Sequence, residues 1–94
     1  MDATVTENPQ QHRFELPIAG GALAAAYYRV EDDGRVVLIH TEVPSAFSGQ
    51  GVGPQLAQGM FELLRKTGRK AVLRCPFMVQ FLVRHPEYAD VVTG

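Results

Sequence analysis

Ser48-Gly49-Gln50-Gly51-Val52-Gly53 is the stretch on which the reading of the chain turns. Before it, Arg35 to Val43 is rich in Val and Ile and reads as a central strand closed by Pro44. After it, Gly53 or Pro54 opens a helix in which Leu56, Met60, Leu63 and Leu64 recur at helical spacing beside Ala57 and Phe61. Pro54 suits the first helical position, where a missing N–H costs little. A glycine-rich loop placed between a strand and a helix N-terminus suits an anion. The first turn leaves backbone N–H groups without partners, the helix dipole adds partial positive charge, and glycines allow close approach at positive φ. A phosphate or pyrophosphate is the natural occupant; the alternative is a connection that binds nothing. Other phosphate loops fail on spacing. A Walker loop needs Gly-Lys-Ser/Thr, and this loop holds no Lys. A dinucleotide fingerprint needs a third glycine where Pro54 stands. A kinase glycine loop lies in a hairpin and leads into no helix.

Working outward, Arg13 to Pro17 alternates around Phe14 and Leu16 and predicts a short strand. Leu23 to Val30 predicts a second strand in spite of Ala24 to Ala26, because turn signals bracket it: Ala19-Gly20-Gly21 before and Asp32-Asp33-Gly34 after. On the other side, Arg65, Lys66 and Arg69 favour a helix C-terminus stopped at Gly68. Lys70 to Cys75 reads as a buried strand, and Phe77 to Arg84 as a short helix ended by His85-Pro86. Polar residues 1–11 predict a disordered arm, so the domain is expected over 12–94, with a frayed tail from Val91 to Gly94. The order β-β-β-α-β-α predicts an α+β domain with a mixed sheet and two main helices.

Ninety-four residues and 10.3 kDa allow one such domain. With 46% apolar and 20% charged residues the chain is too apolar for a disordered one. The single cysteine, Cys75, excludes an internal disulfide and makes no structural zinc site by itself, and no metal is expected. No apolar run approaches the roughly 20 residues that span a bilayer, and the polar start is unlike a secretory signal. A cytoplasmic protein with no membrane partner is therefore expected. The net charge of −1 conceals an asymmetry. Between Met60 and Pro86 stand Arg65, Lys66, Arg69, Lys70, Arg74 and Arg84 against Glu62 alone. This points to a local anionic ligand or to solvated helix ends. Nucleic acid is not expected, because no exposed aromatics interleave with the basic residues.

His40-Thr41-Glu42-Val43-Pro44, the loop to Gly53, and Cys75-Pro76-Phe77 through His85-Pro86-Glu87-Tyr88 together resemble the small YjdJ-type branch of the GCN5-related N-acetyltransferases. The resemblance covers Phe14 to Tyr88. It implies a minimal acyl-CoA N-acyltransferase fold, mostly antiparallel, in which the strand near His40 to Val43 splays from that near Ala71 to Cys75. Acetyl-CoA would lie in the V. Its pantetheine arm would pair with the backbone of Thr41, Glu42 and Val43, and its pyrophosphate would rest on N–H groups of Ser48, Gly49, Gln50, Gly51, Val52 and Gly53. Cys75, Phe77 and Phe81 would border the pantetheine channel. Ser48 and Gln50 depart from the family pattern, which usually has Arg or Gln at the first position and Arg or Lys at the second. Pro54 removes a donor. Lys70, Arg74 or another basic residue would then meet the adenosine phosphates.

Acyl transfer to an amine needs a neutral amine, donors for the oxyanion, and an acid for the thiolate. Glu42 at the strand end is the candidate base, directly or through water; the alternative is an exposed carboxylate paired with an arginine. His40, two residues earlier, shares its side of the strand, though a packing role is open to it. Cys75 is either a nucleophile, with Arg74 and the following helix N-terminus favouring its thiolate, or a small buried residue. Tyr88 and His85 are candidate acids, since the second helix has Phe81 and Leu82 where larger relatives carry a tyrosine; Tyr88 equally suits a core cap. Phe77 and Phe81, four apart on one helix face, read as core residues that also wall the pantetheine channel. The function implied is acetyl transfer from acetyl-CoA to a primary amine such as a protein lysine or N-terminus. The alternative is a CoA-binding module with little or no catalysis, acting in sensing or protein interaction. With the chain ending soon after Tyr88, an open acceptor side and a monomer or weak homodimer are expected.

Overall fold

The computed structural model describes residues 4–94, whose strands form one five-stranded sheet. The strands are β1 (Thr6–Asn8), β2 (Arg13–Pro17), β3 (Leu23–Val30), β4 (Val36–Glu42) and β5 (Ala71–Leu73); the main helices are α1 (Val52–Lys66) and α2 (Pro76–Arg84). Sheet order follows chain order. Neighbours from β1 to β4 are antiparallel, and β5 joins β4 in parallel because α1 carries the chain back across. The expected α+β class, with a mostly antiparallel mixed sheet and two helices, is the one that forms.

Alternation along the strands turns one face of the sheet to the helices, while Ala25, Val37 and Val72 are buried on the other. Phe14 and Leu16 of β2, Ala24, Ala26 and Tyr28 of β3, and Val36 and Leu38 of β4 share a buried cluster with Leu56, Ala57, Met60, Phe61 and Leu64 of α1 and Met78 and Phe81 of α2. Both helices therefore pack on the same side. The alanine run of β3 stays a strand because both of its edges are paired and α1 lies directly on it.

Several boundaries differ from expectation. The strand expected over Lys70 to Cys75 spans only Ala71–Leu73, and Cys75 caps α2 instead. Residues 1–3 of the predicted arm lie outside the described residues, but Thr6–Asn8 is a strand rather than disordered, paired with Arg13 to Glu15. Polar composition hid its two anchors. Val5 packs against Gly59 of α1, where a Cβ would collide with it. Glu7 accepts hydrogen bonds from Arg69 at 2.7 and 3.1 Å and from the Tyr28 hydroxyl at 2.5 Å. The tail is not frayed either: Val91 is buried, Val92 bridges Ala71, and the Thr93 N–H donates to the Ala71 carbonyl at 2.8 Å. Finally, α1 begins at Val52, with Gly51 as its cap at φ +78. Pro54 becomes the third helical residue, still ahead of the first intrahelical donor, Gln55.

Two irregularities in β4 prepare the site. Tyr28 pairs with Leu38 but Tyr27 pairs with His40, so Ile39 is an extra residue, a bulge. Cross-strand partners share a face. Beyond the bulge His40 and Glu42 therefore stand with Tyr27 and Ala25 on the sheet face away from the helices, and Thr41 stands with Ala26 on the face the helices cover. The second irregularity is that β4 stays paired with β3 as far as Glu42, while its ladder with β5 ends at Leu38 and Leu73. Only the Arg74 N–H, donated to the Leu38 carbonyl at 2.9 Å, extends that pairing. The strands part where the V was expected.

Candidate functional site

The loop from Pro44 to α1 makes one short turn at Ser45–Phe47 and then runs through Gly49 at φ +76 and Gly51 at φ +78, conformations that side chains resist. The Ser48 N–H is used, donated to the Ser45 carbonyl at 3.2 Å. Those of Gly49, Gln50, Gly51, Val52 and Gly53 donate to no acceptor among the described residues. Successive free donors over a helix N-terminus form a receptor for an oxyanion. A Cβ on Gly49 or Gly51 would meet nothing within 4 Å, so this backbone faces open space. Gly53 is different. A Cβ there would stand 2.7 Å from Cζ of Phe77, so its bare backbone is what allows α2 to lie against the start of α1.

A cleft of about 450 Å³ runs from this loop to the end of β4, lined by Ser48, Gly49, Gly51, Val52, Gly53 and Phe77, with Thr41, Val43, Phe47 and Pro54. Phe77 is 36% exposed, an aromatic wall rather than a core residue. On the other side of β4 lies a second cleft, about 490 Å³, lined by Leu23, His40, Thr41, Glu42, Val43 and Pro44. Thr41 and Val43 border both. A third cleft of about 300 Å³ continues from Pro54 and Phe77 along α2, past Gln80, Phe81, Arg84 and His85.

Of the residues expected to carry chemistry, His40 and Glu42 are brought together: His40 Nε2 lies 3.2 Å from Glu42 Oε2, both exposed, with the imidazole stacked on the Tyr27 ring. Cys75 caps α2 on the opposite face. It is 3% exposed, and its Sγ lies 3.3 Å from Thr41 Oγ1. It lines none of these three clefts. The bulge thus separates Cys75 from Glu42 and gives it Thr41 instead.

Tyr88 does not reach these clefts. It is buried beside Phe61, with ring centroids 5.3 Å apart, lies under the Arg65 guanidinium, and donates its hydroxyl to Glu62 at 2.6 Å. Burial and the Glu62 carboxylate push the phenol up to about 12. Of the two roles open to Tyr88, acid or core cap, the cap is the one that forms, because the turn at Pro86–Val91 returns the chain to α1 and not to β4. His85 stacks on Phe81 at 4.3 Å and borders the third cleft. Phe81 is buried and walls that same cleft, rather than the one beside the loop.

Half of the basic segment is structural. Arg65 pairs with Asp90 and Arg69 with Glu7, and Lys70 donates to the Asp90 carbonyl at 2.5 Å. Lys70 is thus occupied, and Arg74 lines none of the three clefts; the basic residue that does is Arg84. Its position seven residues, two helical turns, beyond Phe77 was the available signal. Among the described residues no group of three or more His, Cys, Asp or Glu could hold a metal ion. No helix among them is long and apolar enough to cross a membrane.

The parallel β4-α1-β5 unit thus combines strands that part beyond Leu38, a bulged β4 and free N–H groups at the start of α1. The chain belongs to the GCN5-related N-acetyl-transferase family, whose pattern it matches over residues 13–91. Protein NATD1 of Danio rerio is 27% identical over 89 residues, covering 92% of this chain and 81% of that one. The solution NMR structure of a GCN5-like protein from Staphylococcus aureus superposes with a TM-score of 0.71 at 28% identity, covering 96% of this chain and 87% of the other.

Proposed function

We propose that this chain transfers an acetyl group from acetyl-CoA directly to a primary amine, with the two partners approaching β4 from opposite faces. The observation that carries this is the row of free N–H donors from Gly49 to Gly53 opening onto a cleft that ends at Thr41. The donor set fits a pyrophosphate: it is uncharged backbone, pre-oriented by two positive-φ glycines, with no carboxylate lining the cleft. The edge of β4 beyond Leu38, freed where the ladder with β5 stops, offers the backbone of Thr41, Glu42 and Val43 to the amide groups of a pantetheine arm. Acetyl-CoA, when bound, supplies the thioester-activated acetyl group. Glu42 then accepts the ammonium proton of the acceptor, directly or through one water, and His40 holds its carboxylate. Thr41 brings a hydroxyl to the junction of the two clefts. Leu23 and Pro44 supply apolar walls for the stem of an aliphatic amine, as in a lysine side chain.

Direct transfer is preferred to an acetyl-cysteine because the Cys75 thiol is buried among core side chains and bonded to Thr41. A CoA-binding module without turnover is favoured by one observation, the withdrawal of Tyr88 to Glu62, which leaves the clefts without a tyrosine acid. Thiol release from acetyl-CoA, measured with lysine peptides and a panel of polyamines, separates the two. Release that depends on the amine supports transfer. CoA binding with no release for any amine establishes the module.

A further inference from the structure

The third cleft has chemistry that the proposed transfer does not use. It runs along one face of α2, on which Phe77, Gln80, Phe81 and Arg84 follow at three- and four-residue spacing. Its lower end shares Pro54 and Phe77 with the cleft beneath the cradle, so the two form one continuous surface. Its upper end carries Arg84 and the edge of His85. Arg84 makes no salt bridge among the described residues, in contrast to the arginines at 13, 29, 35, 65 and 69. Seven residues of helix place it about 10 Å from Phe77, clear of the donors of Gly49 to Gly53. The cradle itself holds no basic side chain, since Ser48 and Gln50 stand in it. The one cation on this surface is therefore set away from the helix N-terminus, past an aromatic wall.

Resting on the reading of the cradle as a CoA pyrophosphate site, we propose that this third cleft takes the adenosine end of coenzyme A, and that Arg84 is the partner of its 3′-phosphate. The base would lie against the half-exposed ring of Phe77, over the floor that the buried Phe81 gives this cleft, as flat π systems do. The guanidinium would meet the phosphomonoester in the paired N–H···O geometry that makes arginine the preferred phosphate partner. Arg84 is then a specificity residue: it separates CoA from the same molecule lacking the 3′-phosphate. This also accounts for how a cradle without Arg or Lys retains its ligand.

The test is a calorimetric comparison of CoA with 3′-dephospho-CoA, for the wild type and Arg84→Gln, at one moderate salt concentration. The wild type is expected to bind CoA about tenfold tighter than dephospho-CoA, the range of a charge-assisted hydrogen bond. Arg84→Gln should lower CoA affinity by about that factor and leave dephospho-CoA unchanged, which also shows that the variant is folded. If the substitution weakens both ligands alike, Arg84 serves the pyrophosphate and the assignment is wrong. It is equally wrong if the wild-type preference survives the substitution. If the wild type binds neither ligand, the cradle reading fails first and takes this one with it.

Discussion

Glu42 and Cys75 were the two residues on which the chemistry could turn, and β4 puts them on opposite faces. Glu42 is exposed, pairs with His40 and borders the cleft assigned to the acceptor. Glu42→Gln keeps the shape and removes the proton acceptor, so kcat should fall about a hundredfold while affinity for acetyl-CoA stays constant; an unchanged kcat removes Glu42 as the base. Cys75→Ser should keep turnover within about threefold, because a hydroxyl can still bond Thr41 and no covalent step is lost. Loss of turnover, with an acetylated wild-type protein seen by intact mass, would reverse that assignment. Tyr88→Phe should cost about 1 kcal/mol of stability through the lost bond to Glu62 and leave CoA affinity alone.

Among the elements, the start of α1 and the end of β4 do most to set the site. Gly53 shows how tightly they are fitted: Gly53→Ala places a methyl against the Phe77 ring and must push α2 outward. Calorimetry should find CoA bound several-fold more weakly by this variant, with α1 still helical by circular dichroism. Undiminished affinity would mean that the Phe77 wall is not part of the binding surface. The loop and both helices were legible because glycines, proline and helical periodicity mark them directly. The bulge was not. Ile39 is an ordinary strand residue with no glycine beside it, and only its pairing against Tyr27 and Tyr28 exposes the shift. Without it the relation of His40 to Glu42 could still be read, since both lie beyond the bulge, but the pairing of Thr41 with Cys75 could not.

At the scale of the molecule, the N-terminal strand is held by long-range charge. Glu7 ties β1 to Tyr28 of β3 and to Arg69 beyond α1, contacts far apart in sequence that no local pattern announces. The hydrogen bond from Arg69 holds the Glu7 carboxyl below its ordinary range, against the opposing effect of burial. Glu15 is held low by Arg13, and Asp90 by Arg65. Carboxyls with lowered folded-state values bind protons more readily when unfolded. Their stabilisation is therefore complete above the ordinary carboxylate range and is lost as pH falls through the lowered values. The Tm should drop from about pH 5 to about pH 3, and Glu7→Gln should lower Tm at neutral pH while flattening that acid slope. A slope unchanged by Glu7→Gln would show that the cluster does not hold β1.

The central claim is that one continuous surface, from β4 over the start of α1 and along α2, binds acetyl-CoA. Its most direct test is an amide NMR titration of the full chain with acetyl-CoA. The account predicts shifts confined to residues 41–43, 48–55 and 75–85, largest at the free N–H groups of Gly49 to Gly53. Shifts centred on the far face at Arg13, Tyr27 and Glu15, or none at millimolar ligand, would contradict it.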